Sequence, residues 1–250
     1  MFKREELVMK LILIRHADPD YAIDSLTQKG WREAEILSER IIRMDVREFY
    51  ISPLGRAKDT ASITLKKLGR TAIELPWLRE FHAPVIDEKT GKERLPWDFL
   101  PGEWTKIPEY YDKHRWHTVP VMKEGHVYEE ALRVYNGIDE ILKKHGYERE
   151  GNIYRAVNPN TDTIVLFCHF GVTCVILSHL LGISPVMLWH GFCSAPTSLT
   201  ILNTEERRKG IAYFRVNSFG DISHLYAAGE PPAFSARFCE TYDNWDERHD

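Results

Sequence analysis

Apolar residues along this chain fall into two patterns. In the first, short unbroken runs end in a charged or imidazole group. Leu11-Ile12-Leu13-Ile14 leads into Arg15-His16, and Ile164-Val165-Leu166-Phe167-Cys168 leads into His169. Runs of this length without alternation predict strands buried on both faces, as in a parallel sheet. In the second pattern, apolar positions recur at helical spacing. Ala34, Leu37 and Ile41 follow a candidate N-cap at Thr27, with Glu33, Glu35, Glu39 and Arg40 expected to face mainly outward. Ala57, Ala61, Leu65 and Leu68 form a second such face, stopped by Gly69. Ala131, Val134, Tyr135, Ile138, Ile141 and Leu142 form a third before Gly146, and a fourth helix opens at Gly171 and closes at Gly182. Shorter strands are expected at 49–52 and 73–75. A hairpin is expected over 147–158, turning at Gly151-Asn152, and two alternating strands over 199–216 about the turn Arg207-Arg208-Lys209-Gly210.

Strands that alternate with helices predict an α/β fold, a three-layer α/β/α sandwich with a mostly parallel central sheet. Residues 83–128 break the rhythm. They are rich in proline and aromatics (Trp97, Phe99, Trp104, Tyr110, Tyr111, Trp116), with Lys106, Lys113, His114, Arg115, His117, Lys123 and His126 interleaved. A connection of that length reads as a largely helical and irregular lid insertion within a single domain spanning 1–250. Its aromatics fit equally a small core of the segment's own and contacts to a substrate. Residues 1–9 read as a loosely ordered leader, and the segment from about 226 shows no readable packing pattern.

Composition narrows the function classes. The 250 residues are 43% hydrophobic and 28% charged, ordinary values for a globular protein, and the formal net charge of -4 offers no basic footprint for nucleic acid. No apolar run approaches the roughly 20 residues that span a bilayer, and the N-terminus lacks the apolar stretch of a signal peptide, so no membrane partner is expected. Cys168, Cys174, Cys193 and Cys239 form no CxxC pair or ligand cluster. Reduced thiols in a cytoplasmic protein are the simplest account, with Cys168 a small core residue.

The chemistry gathers where strands end. In open α/β sheets, sites form beyond the carboxyl ends of the strands, and four such ends offer Arg15-His16, Arg56, Glu80 and His169. Each has a plain structural reading: a solvated strand end, a surface ion pair, a loop carboxylate, a core histidine. Together they match a phosphoryl-transfer site. Two arginines and a histidine hold phosphoryl oxygens by charge-assisted hydrogen bonds. A neutral second histidine attacks phosphorus, and a carboxylic acid protonates the departing oxygen.

The same residues carry a resemblance. Arg15-His16-Ala17, Leu26-Thr27-Gln28-Lys29-Gly30, the stretch Ser52-Pro53-Leu54-Gly55-Arg56-Ala57, Leu78-Arg79-Glu80 and His169-Phe170-Gly171-Val172 stand in order over about residues 10–203. In that order they resemble the histidine phosphatase superfamily, which includes the phosphoglycerate mutases. The resemblance implies a histidine acid phosphatase-type phosphoric monoester hydrolase. His16 would be phosphorylated, Arg15, Arg56 and His169 would bind the phosphoryl group with it, and Glu80 would donate the proton. Neither a metal nor a cofactor would be required, and a small phosphorylated metabolite would be the substrate. Ala17 stands where the family has glycine, and Pro19 and Ala22 stand where relatives carry accessory phosphate contacts. Asp18, Asp20 and Asp24 would disfavour highly anionic substrates if they faced the pocket. Mutases carry a longer, Gly-Trp-containing segment between the nucleophile and the Leu-x-x-x-Gly element. Here only Ala17 to Ser25 intervene, which favours hydrolysis over mutase-type transfer. A protein phosphohistidine phosphatase and a non-catalytic phosphate-binding module are the remaining alternatives.

Overall fold

The apolar run after residue 9 forms strand β1 (Lys10–Arg15), with Leu11, Ile12, Leu13 and Ile14 all buried. It is the spine of an eight-stranded sheet in a computed structural model that describes residues 8–87, 90–235 and 241–242. The other strands of that sheet are β2 (Glu48–Ile51), β3 (Ile73–Glu74), β4 (Tyr147–Glu150), β5 (Ile153–Ala156), β6 (Thr163–Cys168), β7 (Leu199–Arg208) and β8 (Ile211–Asp221). Their spatial order is β3-β2-β6-β1-β7-β8-β5-β4. The first four run parallel, with Arg15 opposite Cys168, Phe167 opposite Ile51, and Ile51 opposite Glu74. From β7 onward the sheet is antiparallel. It is therefore mixed rather than mostly parallel, and the two unbroken apolar runs, in β1 and β6, lie within its parallel half. The hairpin at 147–156 joins the far edge through Ile211 opposite Arg155.

Alternate residues of the central strands feed two cores, as the twofold period of a strand requires. Ile12, Ile14, Phe49, Ile51, Val165 and Phe167 face helices α1 (Gln28–Ile41) and α2 (Gly55–Leu68). Leu11, Leu13, Tyr50, Leu166 and Cys168 face α3 (Val127–Lys144) and α4 (Phe170–Leu181). This is the expected three-layer sandwich. Helix α4 is apolar almost all round because it is buried almost all round.

The local signals are visible in the caps. The Thr27 side chain accepts from the Gly30 amide, and Gly69 and Gly182 stop α2 and α4 in the left-handed conformation. Two short helices carried no clear pattern, α5 (Pro185–Gly191) and α6 (Ser223–Ala227). Glu33 departs from the outward face expected of it: it is 0% exposed and accepts the amides of Asp18 and Ala233. Of the expected leader, residues 1–7 lie outside the described residues, while Met9 is buried and its amide donates to Thr204 Oγ1.

The insertion is built of short turns, with helices at Pro101–Trp104 and Pro120–Glu124. Its aromatics do not form a separate core. Tyr110, Trp116, Val119 and Met122 are buried in the same cluster as α3, α4 and the sheet. Among the described residues no helix is long and apolar enough to cross a membrane. Cys168 and Cys174 are buried thiols, and Cys239 lies outside the described residues.

Candidate active site

The parallel register does the assembling. Arg15 pairs with Cys168, so the next residue on each strand, His16 and His169, leave the sheet side by side, with ring centroids 5.1 Å apart. The His16 amide continues the ladder to the Cys168 carbonyl at 2.9 Å, and the Ser52 amide does the same to the Phe167 carbonyl at 3.0 Å. Arg56 stands in the first turn of α2 just beyond β2, and Glu80 follows β3 through the short helix Pro76–Leu78. All five sequence-derived candidates, Arg15, His16, Arg56, Glu80 and His169, thus meet at one edge.

His16 is 2% exposed. Its Nδ1 lies 2.7 Å from the Ala17 carbonyl. A carbonyl only accepts, so Nδ1 carries the proton and Nε2 keeps its lone pair. Burial, then the charges of Arg15 and Arg56, hold the ring well below the usual imidazole range, so it is neutral near pH 7. Ala17 has an ordinary negative φ, being absent from the left-handed residues of the described chain, and its amide donates to Thr60 Oγ1 at 2.9 Å. Alanine in the family's glycine position therefore costs no backbone strain here.

His169 is 0% exposed, and burial followed by the charges of His16, Arg56 and Arg15 depresses its pKa well below the usual value. Its Nε2 meets Ser52 Oγ at 2.7 Å, while Ser52 Oγ also accepts the Leu54 amide at 3.2 Å. Among the described residues its Nδ1 is buried with no partner, as is Arg56 Nε. Buried polar atoms are nearly always satisfied. Two such orphans at one electropositive strand edge fit an anion that takes both.

Arg56 Nη1 donates to Asp24 Oδ1 at 2.6 Å, and its guanidinium lies over the Tyr21 ring at 5.3 Å. Asp24 also accepts the Gly55 amide at 2.7 Å, and these partners outweigh desolvation to hold its carboxylate below the usual range. Asp24 thus holds Arg56 in place. Asp18 is likewise engaged, accepting Thr27 Oγ1 at 2.6 Å and Ser235 Oγ. Arg15 Nη1 donates to the Ser194 carbonyl.

Glu80 is held by the start of α4. Its Oε1 accepts the amides of Phe81 at 2.7 Å and Val172 at 3.0 Å, and its Oε2 accepts Gly171 at 3.3 Å. Burial raises its pKa against the pull of those amides and of Arg56. Gly171 permits this close approach: a Cβ there would lie 2.8 Å from Glu80 Oε1, and the carboxylate would have to shift. The Gly171 carbonyl accepts from Trp189 Nε1 at 3.1 Å.

Ser52 and Trp189 are positioning residues that the sequence did not single out, and Asp24, noted there only for its charge, is a third. Ser52 lay inside a quoted motif, and its place at a strand end was the available signal. Among the described residues no three His, Cys, Asp or Glu side chains cluster so as to hold a metal ion.

Comparisons with known proteins place the chain among phosphatases and phosphoglycerate mutases by similarity. Phosphoserine phosphatase 1 of Hydrogenobacter thermophilus is 25% identical over 217 residues, 82% of this chain and 90% of that protein. The mitochondrial serine/threonine-protein phosphatase Pgam5 of Caenorhabditis elegans is 26% identical over 234 residues, 89% of this chain and 66% of that protein. A probable phosphoglycerate mutase, GpmB of Serratia proteamaculans, is 26% identical over 108 residues, so the match spans about half, 49%, of its length. Among solved structures, a mutant phosphoserine phosphatase of Entamoeba histolytica in complex with phosphoserine superposes with a TM-score of 0.56 at 20% identity, covering 87% of this chain and 99% of that one. A mycobacterial glucosyl-3-phosphoglycerate phosphatase gives 0.55 at 16%, covering 85% and 99%. At those identities the likeness of structures speaks to the fold. The sequence profile of the histidine phosphatase superfamily (branch 1) matches residues 11–217. Since that span takes in most of the chain, both central histidines and every strand end that bears on them, the chain belongs to the histidine phosphatase superfamily.

Proposed function

We propose that this protein is a metal-independent phosphomonoester hydrolase that works through a phosphohistidine on His16 and acts on a small phosphorylated metabolite. One observation carries the reading: a neutral, buried imidazole whose Nδ1 proton is committed to the Ala17 carbonyl and whose neighbours are Arg15, Arg56 and His169. That is a nucleophile beside an anion site.

In the first step Nε2 of His16 forms the N–P bond as the ester P–O bond breaks. Arg15, Arg56 and the Nδ1–H of His169 hold the phosphoryl oxygens, and the Ser52 hydroxyl, donating to Nε2, keeps His169 in that tautomer. Glu80 gives its proton to the leaving alkoxide. In the second step water attacks phosphorus, Glu80 takes the water proton, and the N–P bond breaks to release phosphate and neutral His16. The Ala17 carbonyl supports the charge on the phosphorylated ring.

The names of the relatives support a small substrate: phosphoserine phosphatase 1, and neighbours solved with phosphoserine or 3-phosphoglyceric acid. The short connection from Ala17 to Ser25 supports hydrolysis over mutase-type transfer. We read the chain as one domain with the 83–128 insertion as the lid, and its cytoplasmic setting rests on the buried Cys168 and Cys174 thiols. The test is phosphate release from a panel of phosphomonoesters with chelator present. Wild type is expected to turn over and His16→Ala to lose turnover. No release from any ester by wild type would sink the reading.

A further inference from the structure

The family profile ends at residue 217, yet the chain returns to the site after it. Beyond α6, residues 230–235 run along α1 as a strap. Glu230 Oε1 meets Lys29 Nζ at 2.7 Å, and its Oε2 lies 3.9 Å from Arg32. The Pro231 carbonyl accepts from Lys29 Nζ at 2.6 Å. The Ala233 amide donates to Glu33 Oε1 at 2.8 Å, and Ser235 Oγ donates to Asp18 Oδ1. At residue 235 the strap meets the site itself: the Ser235 carbonyl accepts from Arg15 Nη2 at 3.3 Å.

Glu33 explains why the strap is not a casual surface contact. A buried carboxylate is costly unless hydrogen-bonded. This one sits in the middle of α1 with Oε2 on the Asp18 amide, at 3.1 Å, and Oε1 on the Ala233 amide. It joins the turn that follows the nucleophile to the strap. Lys29, Glu33 and Asp18 present three anchors within one turn of α1 and the loop before it.

The other side of Arg15 is fixed in the same way. Ser194 offers its carbonyl to Nη1 from the loop before β7. In that loop Thr197 adopts φ 59°, a left-handed conformation unfavourable for a β-branched residue. It is held there by its amide on the His16 carbonyl and by His224 of α6 on its Oγ1, at 3.1 Å. Two backbone carbonyls from separate segments thus set the plane of one guanidinium. A planar fork binds phosphate well only when its plane is set beforehand.

We propose that the C-terminal strap 230–235 is a positioning element of the phosphate site, fixing Arg15 through the Ser235 carbonyl while Lys29, Glu33 and Asp18 hold the strap to α1. It deepens the phosphatase reading and rests on it. The consequence is that anion affinity depends on the Glu230 and Ser235 side chains, whose own contacts are to Lys29, Arg32 and Asp18 rather than to Arg15.

The test uses the full chain with Glu230→Lys and Ser235→Ala combined, which reverses the charge facing Lys29 and Arg32 and removes the tie to Asp18. Inorganic phosphate is the probe, its dissociation constant measured directly and as an inhibition constant, with KM and kcat for p-nitrophenyl phosphate. The expected result is phosphate binding weakened about tenfold, the worth of one charge-assisted hydrogen bond, with KM rising more than kcat falls. Glu230→Asp with Ser235→Thr should restore it. Equal or tighter phosphate binding by the loosened variant would overturn the proposal while leaving the phosphatase reading intact. Wild type that neither binds nor releases phosphate would overturn that reading, and this one with it.

Discussion

At the scale of single residues, the site separates two kinds of proton. The imidazoles of His16 and His169 are held well below their usual range by burial and by the arginines. The Glu80 carboxyl is raised by burial. The proposed reaction needs both histidines neutral, a condition lost as pH falls through their lowered values. It also needs Glu80 protonated at the start, a condition lost as pH rises through its raised value. The kcat/KM profile for alkyl phosphates is therefore expected to be bell-shaped and displaced to the acid side of neutrality. Glu80→Gln should cost alkyl esters about 10²–10⁴-fold, the usual worth of a general acid. It should cost p-nitrophenyl phosphate far less and flatten the alkaline limb. Equal losses for good and poor leaving groups would contradict the role of Glu80.

At the scale of elements, the junction between β3 and α4 is a close fit. Glu80 takes the first amides of α4, and it does so only because position 171 has no side chain. Gly171→Ala would push a methyl group against Oε1. Displacement of a catalytic group by about 1 Å costs on the order of 100-fold. A kcat/KM loss of that size on alkyl phosphates is expected, with a thermal midpoint near that of wild type, since alanine favours the helix more than glycine does. Assays on alkyl and aryl esters beside a melting curve separate the two effects. An unchanged rate would mean that Glu80 does not need this seat.

At the scale of the whole molecule, the insertion and the catalytic edge share one core. Phe81, next to Glu80, packs on Trp189 with centroids 5.2 Å apart, and Trp189 meets Trp116 of the insertion edge-on at 6.1 Å. Trp116 is 1% exposed. Trp116→Ala is expected to destabilise the entire fold by about 3–5 kcal/mol, the range for emptying a large aromatic site. Urea unfolding with a single coincident transition by fluorescence and circular dichroism would show it. A loss confined to substrate KM with unchanged unfolding would instead mark the insertion as a detachable cover.

Much of this was legible along the chain because it is local. Runs such as residues 11–14 and 164–168 are apolar without alternation because both faces of those strands are buried, and that pattern needs no partner to be read. Thr27, Gly69 and Gly182 mark helix ends through their own backbone and side-chain chemistry. The site candidates were legible for the same reason, each standing just past a recognisable strand. What the tertiary structure decided is what depends on residues distant in sequence. The parallel register of β1 and β6 sets the 5.1 Å between His16 and His169. The antiparallel half of the sheet arises because β7 returns beside β1. Whether Asp24 faced the pocket was open until the fold set it against Arg56, and Glu33 read as outward-facing until the fold covered it with residues 230–235. Local pattern reports how a segment satisfies its own backbone and which face it buries. Which partner meets a charge is a long-range contact, and only the folded chain supplies it.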